Sequence, residues 1–164
     1  MKIIVVSDTH ISEPDEILPQ ELITAIKSSD LCIHAGDLIT PNVIKLISKY
    51  TKFIGVYGNM DPVEVRKLLS YKQIIEIENV RIGVTHGSGS RFNIIPKVED
   101  TLGKGLNIYI FGHTHTAYNE YLKGKLFFNP GSPTDKLFAK FNSYGILEIN
   151  NKEIRHSIVR MEDK

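Results

Sequence analysis

Met1-Lys2-Ile3-Ile4-Val5-Val6-Ser7-Asp8-Thr9-His10 opens the sequence, and its reading decides the fold. Ile3-Ile4-Val5-Val6 is an unbroken, largely β-branched apolar run, the pattern of a strand buried on both faces. Polar chemistry starts where the run stops. The same unit recurs three times: Leu31-Cys32-Ile33 leads into His34-Ala35-Gly36-Asp37, residues 53–56 into Tyr57-Gly58-Asn59-Met60-Asp61, and residues 108–111 into Gly112-His113-Thr114-His115. Between the first strands, apolar residues fall at helical spacing: Leu18, Leu22 and Ile26, then Val43, Leu46 and Ile47, then Val65, Leu68 and Leu69. Pro41 and Pro62 stand just inside the second and third of these helices, behind Thr40 and Asp61 as expected N-caps. The front of the chain therefore reads β-α-β-α-β-α with a parallel sheet.

Beyond residue 70 the pattern changes. Residues 73–78 and 81–85 flank Glu78-Asn79, a hairpin signal. A helix is expected over Ile94–Leu102, stopped by Gly103 and Gly105. Strands follow at 118–122, 126–128, 144–149 and 154–159, separated by Lys123-Gly124 and Asn150-Asn151, and read as short antiparallel strands. The expected class is α/β: a two-sheet β-sandwich flanked by helices, forming one domain over residues 1–164.

With 20 basic and 19 acidic residues the net charge is +1, so nothing marks a nucleic-acid or anionic-membrane partner. The first apolar run is too short for a signal peptide or a membrane span, and no later run approaches ~18 residues. The single cysteine, Cys32, lies in an apolar strand and reads as a buried small hydrophobe in a reducing compartment. A cytoplasmic protein is expected.

The chemistry lies at the strand ends, where open α/β sheets bind ligands. His86-Gly87 after residues 81–85 makes a fifth such end. Together they deliver Asp8, His10, Asp37, Asn59, His86, His113 and His115 to one edge. Oxygen and imidazole donors without thiolate suit Mn²⁺, Fe, Zn²⁺ or Mg²⁺ and disfavour a structural zinc knot. Seven donors exceed what one ion takes with positions left for substrate, and suit two ions about 3.5–4 Å apart. Each fragment alone is weak, since Gly-Asp and Gly-Asn are common turn dipeptides; the ordered set is strong. His34 reads as a packed or supporting histidine, His156 as a surface residue, and Arg91, in Gly87-Ser88-Gly89-Ser90-Arg91, as a substrate-binding guanidinium or part of a plain loop. Asn129-Pro130-Gly131-Ser132 reads as site lining or a strand-ending turn. Tyr118, Tyr121, Phe127 and Phe128 read as core or partner surface.

The ordered set D-x-H, G-D, G-N-x-D, H-G and G-H-x-H resembles the calcineurin-like metallophosphoesterase superfamily. With Asn129-Pro130-Gly131-Ser132 it is most similar to the small, cap-less YfcE-type phosphodiesterase branch. The resemblance implies two divalent ions, Mn²⁺ first and Ni²⁺, Fe, Zn²⁺ or Mg²⁺ as alternatives. Asp8, His10 and His115 would hold one, Asn59, His86 and His113 the other, and Asp37 would bridge them. Asp37, Asn59 and His86 double as the residues expected to carry catalysis. It further implies hydrolysis of a small phosphate ester, a phosphodiester by preference, through a metal-bridging hydroxide; homo-oligomerisation is left open. Met60 stands where many members carry a histidine that assists the leaving group, so Asp61 is expected to cap a helix. The rival is a retromer-subunit-like scaffold with a vestigial metal site, for which seven donors are unnecessary.

Overall fold

The computed structural model describes residues 1–12 and 18–162. In chain order the elements are β1 (Lys2–Val6), α1 (Gln20–Lys27), β2 (Leu31–His34), α2 (Pro41–Ser48), β3 (Lys52–Gly55), α3 (Val63–Arg66), β4 (Lys72–Ile77), β5 (Val80–Thr85), α4 (Ile94–Leu102), β6 (Ile108–Ile110), β7 (Tyr118–Leu122), β8 (Lys125–Asn129), β9 (Ser143–Asn150) and β10 (Glu153–Arg160). They form two five-stranded mixed sheets, ordered β10-β9-β1-β2-β3 and β4-β5-β6-β8-β7.

Strand alternation explains why the opening run has no polar face. Ile3 and Val5 point between the sheets, meeting Ile82, Val84, Ile108, Ile110 and Phe128. Ile4 and Val6 point outward, under Leu22 and Ile26 of α1 and Val43 and Ile47 of α2. Cys32 shares that outer face, and burial pushes its thiol far up, as suits a packing residue. On the far side α4 lays Ile94, Val98 and Leu102 over Tyr109, Phe111 and Phe127. The layers are helix, sheet, sheet, helix.

The turns follow local chemistry. Glu78 and Asn79 both take positive φ (48° and 65°), and so do Lys123 and Gly124 (51° and 77°), as two-residue hairpins require. Thr40 caps α2, its hydroxyl accepting from the N–H of Asn42.

Four expectations are corrected. β8 pairs parallel with β6, so the later strands are not all antiparallel; β7 takes the edge position and pairs antiparallel with β8. The third helix spans only Val63–Arg66, with Pro62 at its cap, leaving Leu68 exposed. Asp61 does not cap it. Its carboxylate accepts instead from the backbone N–H groups of Asp37, Ile39 and Gly58, because buried donors cost more to leave unpaired than a solvated helix end. His156 is half-buried rather than free at the surface: its Nδ1 lies 2.6 Å from Asn119 Oδ1 on β7, joining the edge strands of the two sheets.

Candidate metal centre

β1, β2 and β3 are parallel neighbours, so their carboxyl ends share one edge of the first sheet. β5 and β6 are parallel neighbours in the second. Backbone bonds knit the ends of β1 and β2, and those of β5 and β6: Asp8 N–H to Gly36 O (2.9 Å), His10 N–H to Asp37 O (3.1 Å) and Gly112 N–H to His86 O (3.0 Å). Two glycines exist because a neighbour needs the space. A Cβ on Gly58 would lie 2.1 Å from Asp37 Oδ1, and one on Gly112 would lie 2.8 Å from Asp8 Oδ2.

Asp8, His10, Asp37, His113 and His115 all take positive φ (54°, 43°, 58°, 69° and 58°). Non-glycine residues rarely do so, at a cost of order 1–3 kcal/mol each. Five such residues in one cluster, held by surrounding bonds, mark a functional site.

All seven expected residues come together. Nε2 of His10 and of His86 lie 3.5 and 3.2 Å from Asp37 Oδ2. Nε2 of His115 lies 3.3 Å from Asp8 Oδ1. Asn59 Oδ1 stands 3.1 Å from His86 Nε2 and 3.0 Å from His113 Nδ1. Asp8, His10 and His115 form one group of donors within 4.8 Å of one another, and Asp8, Asp37 and His86 form a second.

Three histidines are tied from outside, which fixes their tautomers. His86 Nδ1 faces Ala35 O (2.8 Å), His113 Nε2 faces Gly89 O (2.9 Å) and His115 Nδ1 faces the Asp135 carboxylate (2.5 Å). Those oxygens can only accept, so each of these nitrogens donates and the other nitrogen of a neutral ring is a bare lone pair. Each lone pair is aimed at an Asp or Asn oxygen. Lone pair against lone pair is repulsive unless a cation or a proton stands between them. His10 Nε2 is buried with no hydrogen-bond partner at all. The donor set and these orphaned atoms fit a divalent metal.

Electrostatics agree. Burial lowers the His86 pKa, but hydrogen bonding to Asp37 and the charges of Asp8 and Asp37 outweigh it and push it up to about 9. His115 rises for like reasons: burial opposes, and Asp8 and Asp135 prevail. Burial raises the Asp37 carboxyl, yet His86, the Met60 N–H and His10 hold it below the usual carboxylate range. Without metal, a proton on His86 takes the place of the cation.

The supporting residues divide into foreseen and missed. His34 is fully buried, pushed down to about 3 by that burial, and bonds Thr9 and the Gly36 N–H; it is a packing residue. Asn129 and Ser132 are buried and brace the loops: Asn129 Nδ2 donates to Gly112 O, and Ser132 Oγ donates to Asp8 O. Phe127 and Phe128 are core, whereas Tyr121 is half-exposed. Arg91 and Met60 line the cleft beside the ligands. Asp135 escapes a sequence reading. Nothing but its place three residues after Ser132 could have drawn attention to it, and its carboxylate holds both His115 and the N–H groups of Leu137, Phe138 and Ala139.

The chain is similar to known proteins over most of its length. A probable metallophosphoesterase of Methanocaldococcus jannaschii is 35% identical over 82% of this chain and 69% of its own. A phosphodiesterase of the same archaeon is 28% identical over 97% of this chain and 99% of its own. The crystal structure of Vps29 with zinc from Entamoeba histolytica superposes with a TM-score of 0.75 at 22% identity, covering 98% of this chain and 99% of that one, a likeness of fold alone. The sequence model of the calcineurin-like phosphoesterase superfamily domain matches residues 1–152, and the chain belongs to that superfamily.

Proposed function

We propose that this chain, acting as one catalytic domain, is a dinuclear metal-dependent phosphoesterase that prefers phosphodiesters. The observation that carries the reading is the aim of the histidines: inner nitrogens turned to carboxylate and amide oxygens, outer nitrogens tied to acceptors. His10, His115 and Asp8 would hold one ion, and Asn59, His86 and His113 the other. Both carboxylates lie between histidines, and Asp37 is the better bridge. Its Oδ2 is 3.5 and 3.2 Å from His10 and His86, against 4.0 and 3.9 Å for Asp8 Oδ1, which lies nearer His115.

When bound, two divalent ions supply a water-derived nucleophile at neutral pH and Lewis-acid stabilisation of the phosphoryl oxygens. The chain's own residues do the rest. Asp37 is oriented by the Met60 N–H on Oδ1, leaving Oδ2 to face both histidines. Arg91, which lines the cleft, would meet a phosphate oxygen. Met60 offers no proton to a leaving group, which favours esters whose leaving groups need none. The oxygen and nitrogen donors suit Mn²⁺, Fe, Zn²⁺ or Mg²⁺, and the superfamily resemblance puts Mn²⁺ first among them. The free, buried thiol of Cys32 supports a reducing, cytoplasmic setting. The phosphodiesterase relative supports the diester preference, and a pure scaffold would need none of the seven donors.

The test is turnover of an aryl diester and the matching monoester by metal-stripped protein resupplied with Mn²⁺, Ni²⁺, Zn²⁺ or Mg²⁺. Diester hydrolysis restored by metal supports the proposal; hydrolysis indifferent to chelation overturns it.

A further inference from the structure

The cleft beside the ligands holds about 1020 Å³, far more than a phosphoryl group fills, and one wall is built from Pro133, Thr134, Asp135, Lys136 and Phe138. Lys136, Leu137 and Phe138 are exposed, yet the segment is tightly specified. The Asp135 carboxylate accepts from Leu137, Phe138 and Ala139 (2.8, 3.1 and 2.9 Å), its N–H donates to Ser132 Oγ (3.0 Å), and its carbonyl accepts from Asn142 Nδ2 (2.8 Å). These bonds fix the backbone of Phe138 while its side chain stays 58% exposed. Its ring meets the His115 ring edge to face, centroids 5.9 Å apart at 84°. The Arg91 guanidinium lies over it, 4.9 Å from its centroid. An apolar ring held open at the mouth of a polar site forgoes part of its burial free energy. A ligand that covers it recovers that energy.

We propose that Phe138 and Arg91 form a recognition shelf for a planar aromatic group carried on the phosphate ester, so that the substrates are esters of nucleosides or other aromatic alcohols. The inference rests on the phosphoesterase reading and names its substrate class. Aromatic rings and guanidinium planes both stack on flat π-systems, and they do so with little regard to which ring is offered. The contact to His115 sets the shelf beside a metal ligand. Arg91, on the ring, can serve the phosphate and the planar group together.

The experiment is calorimetric binding of methyl phosphate, phenyl phosphate and adenosine 5′-monophosphate to Mn²⁺-loaded protein. The proteins compared are wild type, Phe138→Ala, Phe138→Leu and Phe138→Tyr. Phe138 lies outside all three core clusters, so the variants should fold. Wild type should bind the aromatic probes tighter than methyl phosphate by roughly 5- to 150-fold, the range aromatic stacking supplies. Phe138→Ala should collapse that ratio to about two or less, Phe138→Leu should lower it despite its apolar bulk, and Phe138→Tyr should keep it. Adenosine 5′-monophosphate binding tighter than phenyl phosphate would assign nucleoside esters; the reverse would assign simple aryl esters. A wild-type ratio near one, or a ratio that survives Phe138→Ala, overturns the shelf while leaving the phosphoesterase reading standing. Failure of methyl phosphate itself to bind in a metal-dependent way overturns both.

Discussion

Asp135 Oδ2 lies 2.5 Å from His115 Nδ1, while Nε2 of the same ring lies 3.3 Å from Asp8 Oδ1. The carboxylate thus fixes the tautomer that leaves Nε2 bare and makes it a better donor. Outer partners of this kind typically change metal affinity 10- to 100-fold. Asp135→Asn should weaken the ion held with Asp8 and His10 by about tenfold, with less effect on the ion near Asn59 and His113. Metal titration by calorimetry checks it; two unchanged affinities would remove Asp135 from the site.

Asp37→Asn should be the most damaging single change. Its Oδ2 faces histidines from both halves of the site, so one lost charge unsettles both ions. The second metal and most activity should vanish, with the fold retained because the amide still accepts from Met60. Elemental analysis with circular dichroism reads both; two metals per chain in an active variant would contradict the bridge.

The metal-free protein should lose stability with rising pH. His86 is raised from 6.5 to about 9 in the folded chain. The stabilisation from its proton is therefore complete below about pH 6.5 and is lost as pH climbs through about 9. Metal replaces that proton, so loaded protein should show no such decline. Thermal melts of stripped and loaded protein at pH 6.5 and 9 make the comparison; parallel declines would show that His86 is not where the metal binds.

Met60→His restores an acid where the superfamily often has one, but to limited effect here. Asp61 spends its carboxylate on three backbone N–H groups and has little left to orient a new imidazole. Monoester turnover should rise by no more than about tenfold, below the ~10²–10⁴-fold of a well-placed general acid. Gain on activated diesters should be smaller still. A leaving-group series on both proteins tests this, and a gain above a hundredfold would show that Asp61 is free to act.

The sequence shows the candidate metal donors and hides the residues that hold them. Ile3-Ile4-Val5-Val6 announces a strand covered on both faces, and Glu78-Asn79 announces its hairpin, because alternation and turn chemistry are local. The seven donors are legible because each follows a strand, with a glycine close by at four of the five ends. The roles of Asp135 and Asp61 are not, since His115 lies 20 residues from the first and Asp37 and Ile39 lie 24 and 22 from the second, and no spacing records those contacts. The parallel pairing of β8 with β6 is hidden for the same reason: β8 pairs with a strand that is not its neighbour in the chain, a tertiary fact. Phe138 carries no local signal of its place beside His115 and Arg91.

The central claim is that these donors hold two ions that together make a phosphoesterase. Stripped protein titrated with Mn²⁺, with bound metal and diester hydrolysis followed in the same samples, tests it most directly. Two ions per chain are expected, with a rate that rises mainly as the second site fills. Full activity with one ion bound, or hydrolysis that ignores the titration, would contradict it.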